Sequence, residues 1–144
     1  MQEPGHVAAE SAQINKPRRM ALVVEDEPAI RALLVDFLAI LDIHADVAPT
    51  PADALTTFIR GAYDLVLTDH KMPGQLTGLE LAQRLRVRDP VIPIAIVTGS
   101  LMPELVATIE AAGFSFLHKP FTLDEFVRTV TRLLARGEVR EHDR

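Results

Sequence analysis

The stretch MALVVEDEPAIRALLVDFLAIL, residues 20–41, decides the fold. It opens on MALVV (20–24), a short continuous apolar run of the kind shown by a strand buried on both faces, and it stops at Glu25, Asp26 and Glu27. Ile30, Leu33, Leu34, Phe37, Leu38 and Leu41 then recur at helical spacing, which predicts an amphipathic helix over 27–41 with Pro28 in its first turn and this whole stripe in the core. Val35 falls outside the stripe, where it is either an ordinary surface valine or part of an apolar rim against which a partner can dock. One strand followed by one helix is the unit, and it repeats along the chain.

A weaker strand is expected at 43–47, then a helix over 51–60 stopped by Gly61. YDLVLTD (63–69) reads as a third strand, and a helix over 79–87 follows the MPGQLTG turn. Pro90 breaks the chain before IPIAIVT (92–98), which a helix over 103–112 follows, with Gly113 behind it. FSFLH (114–118) is a fifth strand, and Thr122 caps a last helix expected to reach about residue 135, with Asp124 and Glu125 in its first turn. Strands alternating with helices in this way give an α/β, doubly wound parallel sheet covered on both faces.

Composition narrows the function classes. The 144 residues predict one domain, with no room for a second catalytic or DNA-binding one. Hydrophobic residues at 48% and charged residues at 24% are those of an ordinary globule with a real core. Fifteen Lys+Arg against twenty Asp+Glu leave a net charge of −5, so direct nucleic-acid binding is not expected. No cysteine occurs, which removes disulfides, thiolate metal sites and cysteine nucleophiles. Neither a membrane span nor a signal peptide is legible, and a cytoplasmic protein is expected. Residues 1–19 read as a flexible tail ending in the basic cluster Lys16, Arg18 and Arg19, taken as a solvated lead-in, and residues 136–144 read as a C-terminal tail around a domain at 20–135.

In doubly wound sheets ligands bind outside the carboxyl ends of the strands. There the chain places Glu25, Asp26 and Glu27 after the first strand, Asp69 after the third, Thr98, Gly99 and Ser100 after the fourth, and Lys119 and Pro120 after the fifth. Glu27 is read as a turn or cap acid. Carboxylates gathered without thiolate or imidazole suit a hard cation such as Mg²⁺, with Asp26 and Asp69 as direct ligands. A carboxylate so neutralised can act as nucleophile towards a phosphoryl donor; Lys119 balances charge, and Thr98 donates to a phosphoryl oxygen. His70 is expected to point away from Asp69 into solvent, and the other histidines show no zinc-ligand spacing.

The segments ALVVEDEPAIRALL, YDLVLTDHKMPGQLTGLEL, IPIAIVTGS and FSFLHKPFTLDEFVRTV resemble the receiver domain of bacterial two-component response regulators, in order, over about 20–135. The resemblance implies a (βα)5 flavodoxin-like fold with strand order 2-1-3-4-5. It makes Asp69 the acceptor of a phosphoryl group from a histidine kinase or histidine phosphotransfer protein, Asp26 a direct magnesium ligand, Glu25 an outer one acting through water, and the backbone carbonyl of Lys71 a further ligand. Thr98 becomes the switch hydroxyl, Phe116 the coupled aromatic and Lys119 the lysine paired with the acceptor, with a cis Lys119–Pro120 bond. Such a domain catalyses only its own phosphorylation and dephosphorylation. It switches the surface of the fourth helix, fifth strand and fifth helix for a downstream effector, or for self-association.

Three features depart from the family pattern. Glu25 stands where aspartate is common, the MPGQLTG loop is one residue longer than the commonest form, and Lys71 puts a long cation beside the acceptor, expected to alter the lifetime of an aspartyl phosphate. The chain reads as a single-domain regulator, a relay intermediate or the receiver of a hybrid kinase. Two rival readings stand beside it. A degenerate receiver acting only as a binding module would be signalled by loss of Asp69, Asp26 or Lys119, and all three are present. An aspartate-nucleophile phosphohydrolase of the haloacid dehalogenase type would carry a second aspartate where Lys71 stands. A dinucleotide site fails for want of a Gly-rich turn after the first strand.

Overall fold

A computed structural model describes residues 18–100 and 102–142. Its elements run β1 (Arg19–Val24), α1 (Pro28–Ile40), β2 (Ile43–Ala48), α2 (Pro51–Thr57), β3 (Leu65–Asp69), α3 (Gly78–Arg88), β4 (Ile94–Thr98), α4 (Pro103–Ala111), β5 (Ser115–His118) and α5 (Leu123–His142). The strands form one five-stranded sheet in the order β2-β1-β3-β4-β5, with every neighbouring pair parallel. The doubly wound fold with order 2-1-3-4-5 is therefore the one observed.

Period-two alternation splits the core into two layers. Leu22, Val24, Val66, Ile94 and Ile96 point to one face, where Ala54 of α2, Leu81 and Leu85 of α3 and Ile109 of α4 cover them. Ala21, Val23, Leu65, Leu67, Ala95 and Val97 point to the other, under Leu34 and Leu38 of α1 and Phe126, Val130 and Leu133 of α5. Being covered twice, β3 and β4 are buried at every position, which is why they read as unbroken apolar runs, whereas edge strands β2 and β5 are only intermittently buried.

Several expected boundaries move, each for a tertiary reason. The helix expected over 51–60 ends at Thr57, because Phe58 leaves helical geometry (ψ 126°) to bury its ring against Tyr63, stacked at 5.7 Å. The third strand starts at Leu65 rather than 63: Tyr63 donates its hydroxyl to Asp46 and the Asp64 amide reaches Met20, both outside the ladder. The fourth starts at Ile94 rather than 92, since Pro93 has no N–H to give and contributes only its carbonyl, to the Val66 amide. The last helix, expected to end near 135, continues to His142. Gly137 lets it pass Pro93, where a Cβ would lie 3.1 Å from the ring, so residues 136–142 are helix rather than tail.

The first helix also differs from its expected stripe. Leu33 is 41% exposed, contrary to the reading that placed it in the core, while Val35, half-buried, stands at the rim of the stripe as expected. Measured from the midpoint of buried Leu34 and Leu38, Leu33 lies about 120° away and Val35 about 80°. At the other end of the chain boundary, β1 opens at Arg19, and the Arg18 guanidinium bonds the His44 ring; residues 1–17, with Lys16, lie outside the described residues, as do 101, 143 and 144. Among the described residues no helix is long and apolar enough to cross a membrane.

Candidate functional site

The carboxyl ends of the strands bring together the residues that the chain places there. Glu25, just past β1, is 1% exposed; Asp69, at the end of β3, is 8% exposed; Thr98, at the end of β4, is 2% exposed. Asp26 is half-buried, and one oxygen each of Glu25, Asp26 and Asp69 lie within 4.8 Å of one another. Ligands of one Mg²⁺ held at about 2.1 Å are roughly 3–4 Å apart, so small side-chain rotations let this all-oxygen set accept a hard cation.

Lys119 is the cation in the cluster. Its Nζ lies 3.0 Å from Glu25 Oε1 and 3.3 Å from Asp69 Oδ1, bridging the two acids, with the shorter contact to Glu25. The strand ladder delivers it: the Lys119 amide donates to the Thr98 carbonyl at 2.8 Å, and the Lys119–Pro120 bond is cis. Asp69 Oδ1 also accepts from the His70 amide at 2.8 Å, and Thr68 Oγ1 donates to the Asp69 carbonyl at 2.9 Å. Thr98 Oγ1 accepts from the Ser100 amide at 3.1 Å, which ties the switch candidate to the loop entering α4.

Gly78 explains the end of the MPGQLTG loop. Its amide donates to the His70 carbonyl at 2.8 Å, and a Cβ there would sit 2.0 Å from the Asp69 carbonyl oxygen. Only glycine lets the start of α3 approach the backbone of Asp69 so closely. Thr77 caps that helix, exchanging hydrogen bonds with Glu80 in a capping box.

Burial dominates the electrostatics. Desolvation pushes the Glu25 carboxyl up to about 7, opposed by the Lys119 hydrogen bond and reinforced by Asp69. For Lys119, burial acts to lower the pKa, but the Glu25 hydrogen bond and the charges of Asp69 and Glu25 outweigh it and leave the ammonium held above its ordinary value. Because Glu25 is raised on folding, the folded state binds more protons than the unfolded state between pH 4.5 and about 7, so this group's contribution to stability falls as pH rises through that window. Without divalent cation, Glu25→Gln is therefore expected to raise stability by about 1–3 kcal/mol at pH 8 and to change it little near pH 4.5. Denaturant melts at the two pH values check this, and an equal effect at both would contradict it.

Phe116 lies beside Ile96 in the β4–β5 register, two residues before the Thr98–His118 pair and so on the same face as Thr98. It is half-buried against the core, and its edge lines an open groove of about 480 Å³ bordered by Glu110, Thr129, Arg132 and Arg136. Lys71 is exposed. His70 departs from its expected solvated position: the residue is half-buried, its Nδ1 is buried with no hydrogen-bond partner, and desolvation holds its pKa below the ordinary value.

Sequence reading missed Arg31, whose Nη1 donates to the Glu25 carbonyl at 3.0 Å. The available signal was angular, since on α1 Arg31 lies about 40° from the buried direction.

An acidic cluster bridged by one lysine thus stands at the strand ends of a doubly wound sheet. The model of the response regulator receiver domain matches residues 21–131, and the chain belongs to that family. It is similar to the response regulator protein PilR of Pseudomonas aeruginosa, 38% identical over 121 residues that cover 81% of this chain and 27% of PilR. The sensor histidine kinase RcsC of Salmonella typhi is 38% identical over 112 residues, 77% of this chain and 12% of the kinase. The chain thus spans about a quarter or less of the curated relatives it matches. Among solved structures, the response regulator protein TrrA of Thermotoga maritima, in complex with Mg²⁺-BeF, superposes with a TM-score of 0.72 at 33% identity, covering 81% of this chain and 99% of that one. The chain is a receiver domain of two-component systems, a class of signalling module.

Proposed function

We propose that Asp69 accepts a phosphoryl group from the phosphohistidine of a histidine kinase or phosphotransfer protein, and that the modified domain presents a changed α4–β5–α5 surface to an effector. The observation that carries this reading is Lys119 bridging Glu25 and Asp69 at 3.0 and 3.3 Å. It leaves a nucleophilic carboxylate and a fixed ammonium side by side at a strand end.

In the transfer, an Asp69 carboxylate oxygen attacks phosphorus, the P–N bond breaks and its electron pair returns to the departing imidazole. Asp26 and Asp69 would hold Mg²⁺ directly, with Glu25 acting through water and the Lys71 carbonyl as a further ligand; the cation supplies charge neutralisation for the approach of two anionic groups. Lys119 offsets the charge that accumulates on the phosphoryl oxygens. Thr98 leaves its Ser100 contact to donate to a phosphoryl oxygen, which opens room on the same sheet face for the Phe116 ring to turn inward from the groove. Leu33 supplies the exposed apolar contact for a docking donor on α1.

The working unit is taken to run from β1 through the end of α5, Arg19 to His142, acting in the cytoplasm without binding nucleic acid itself. Relatives that include both a response regulator and a sensor kinase support either a stand-alone regulator or a hybrid-kinase receiver. Titration with beryllofluoride and Mg²⁺, followed by amide NMR, is expected to shift Asp69, Thr98 and Phe116 together. Shifts confined to Asp69 and Asp26 would contradict the coupling.

Lys71, exposed beside the acceptor, sets the lifetime of the acyl phosphate by its charge. Lys71→Ala is expected to change the dephosphorylation rate of purified phosphoprotein by about threefold or more, consistent with one solvent-screened charge at close range. A rate equal to the parent's would remove this role.

A further inference from the structure

The Arg31 side chain reaches the backbone of the acidic turn. Its Nη1 donates to the Glu25 carbonyl at 3.0 Å, while the Glu25 amide donates to the Ala48 carbonyl at 3.1 Å. The peptide plane that joins Glu25 to Asp26 begins at that carbonyl, so its rotation swings the Asp26 Cα–Cβ bond. The backbone of Arg31 is itself held in place. It sits in the first turns of α1, its amide donating to the Glu27 carbonyl at 2.9 Å, and its side chain is half-buried. A planar guanidinium anchored at its base holds a carbonyl in direction as well as distance.

We infer that Arg31 is a positioning residue for the cation site: by fixing the Glu25–Asp26 peptide it aims the Asp26 carboxylate at the position shared with Asp69. The inference rests on the reading of Glu25, Asp26 and Asp69 as a divalent-cation site. It differs from a charge effect in sign. A guanidinium beside carboxylates opposes binding of a second cation, so on charge alone its removal tightens Mg²⁺ binding. As a positioning group, its removal weakens binding, as loss of outer partners of metal ligands does, by roughly 10–100-fold.

The test is Mg²⁺ titration of the parent, Arg31→Met and Arg31→Lys, followed by the amide shifts of Asp26 and Asp69, with thermal melts of each in the absence of Mg²⁺. Arg31→Met keeps the apolar stem and is expected to bind Mg²⁺ about tenfold more weakly at an unchanged metal-free fold. Arg31→Lys keeps the charge but not the planar fork, and is expected to fall between the two. Equal or tighter binding by Arg31→Met overturns the inference while leaving the cation site standing. Parent-like binding by Arg31→Lys, with tighter binding by Arg31→Met, assigns Arg31 to charge alone and overturns it too. A parent that does not respond to Mg²⁺ at Asp26 and Asp69 overturns the site reading itself, and the inference with it. If Arg31→Met melts as an unfolded chain, the Arg31→Lys titration decides alone: weaker binding than the parent supports positioning, and equal binding overturns it.

Discussion

Lys119→Met is expected to slow phosphorylation from a small phosphoryl donor by about 10²-fold at saturating Mg²⁺, the usual cost of removing one preorganised charge from a site of developing anionic charge. Lys119 touches both acids, at 3.0 Å for Glu25 and 3.3 Å for Asp69, and is the cation that the fold delivers between β1 and β3. Methionine keeps much of the stem's volume, so the packing around β5 survives. The loss of charge leaves Glu25, already raised to about 7 by burial, without the partner that opposes protonation. Without Mg²⁺ the variant therefore favours the protonated form of Glu25 more than the parent does and leaves Asp69 without its ammonium partner. Single-turnover phosphorylation rates measured beside thermal melts separate the two effects. A variant that folds and is phosphorylated within threefold of the parent would contradict the role given to Lys119.

The fold was largely legible because the strands that decide it are buried on both faces. β1, β3 and β4 announce themselves as unbroken apolar runs, and the acids, threonine and lysine that follow them fall where a doubly wound sheet puts its ligands. The identities of the converging residues came from that rule and from the receiver-like motifs together. What was not legible depends on contacts between distant segments. Phe58 ends α2 early because Tyr63 offers its ring a stacking partner, and α5 runs on to His142 because Gly137 can pass Pro93. Local propensity carries neither fact.

The site shows the same division. Lys119 does contact Asp69, yet its shorter contact is to Glu25, 94 positions away in sequence. Glu25 and Asp69 share the one ammonium, at 3.0 and 3.3 Å. Gly78 read as the end of a turn; only the packed backbone shows that a Cβ would meet the Asp69 carbonyl. Leu33 left the expected core stripe because apolar spacing sets a stripe's width loosely, while the directions of Leu34 and Leu38 set its centre.

Asp69→Ala is expected to have the largest effect of any single change. Asp69 is the carboxylate that combines a place in the acidic cluster, a Lys119 contact and a β3 strand-end backbone pinned by Gly78. Alanine removes the proposed nucleophile outright, so no acyl phosphate at this position is expected. Glu25, 1% exposed and engaged through Oε1 by Lys119, is not expected to substitute for it.

The decisive measurement is the intact mass of the parent and of Asp69→Ala after incubation with acetyl phosphate and Mg²⁺, with and without chelator. The expected result is a gain of one phosphoryl group in the parent, stable in acid and labile in base, lost on chelation and absent from the variant. A folded, Mg²⁺-binding parent that gains no such group, and that beryllofluoride leaves unchanged, would contradict Asp69 as a phosphoacceptor and would make the domain a binding module; a gain that persists in Asp69→Ala would place the chemistry elsewhere.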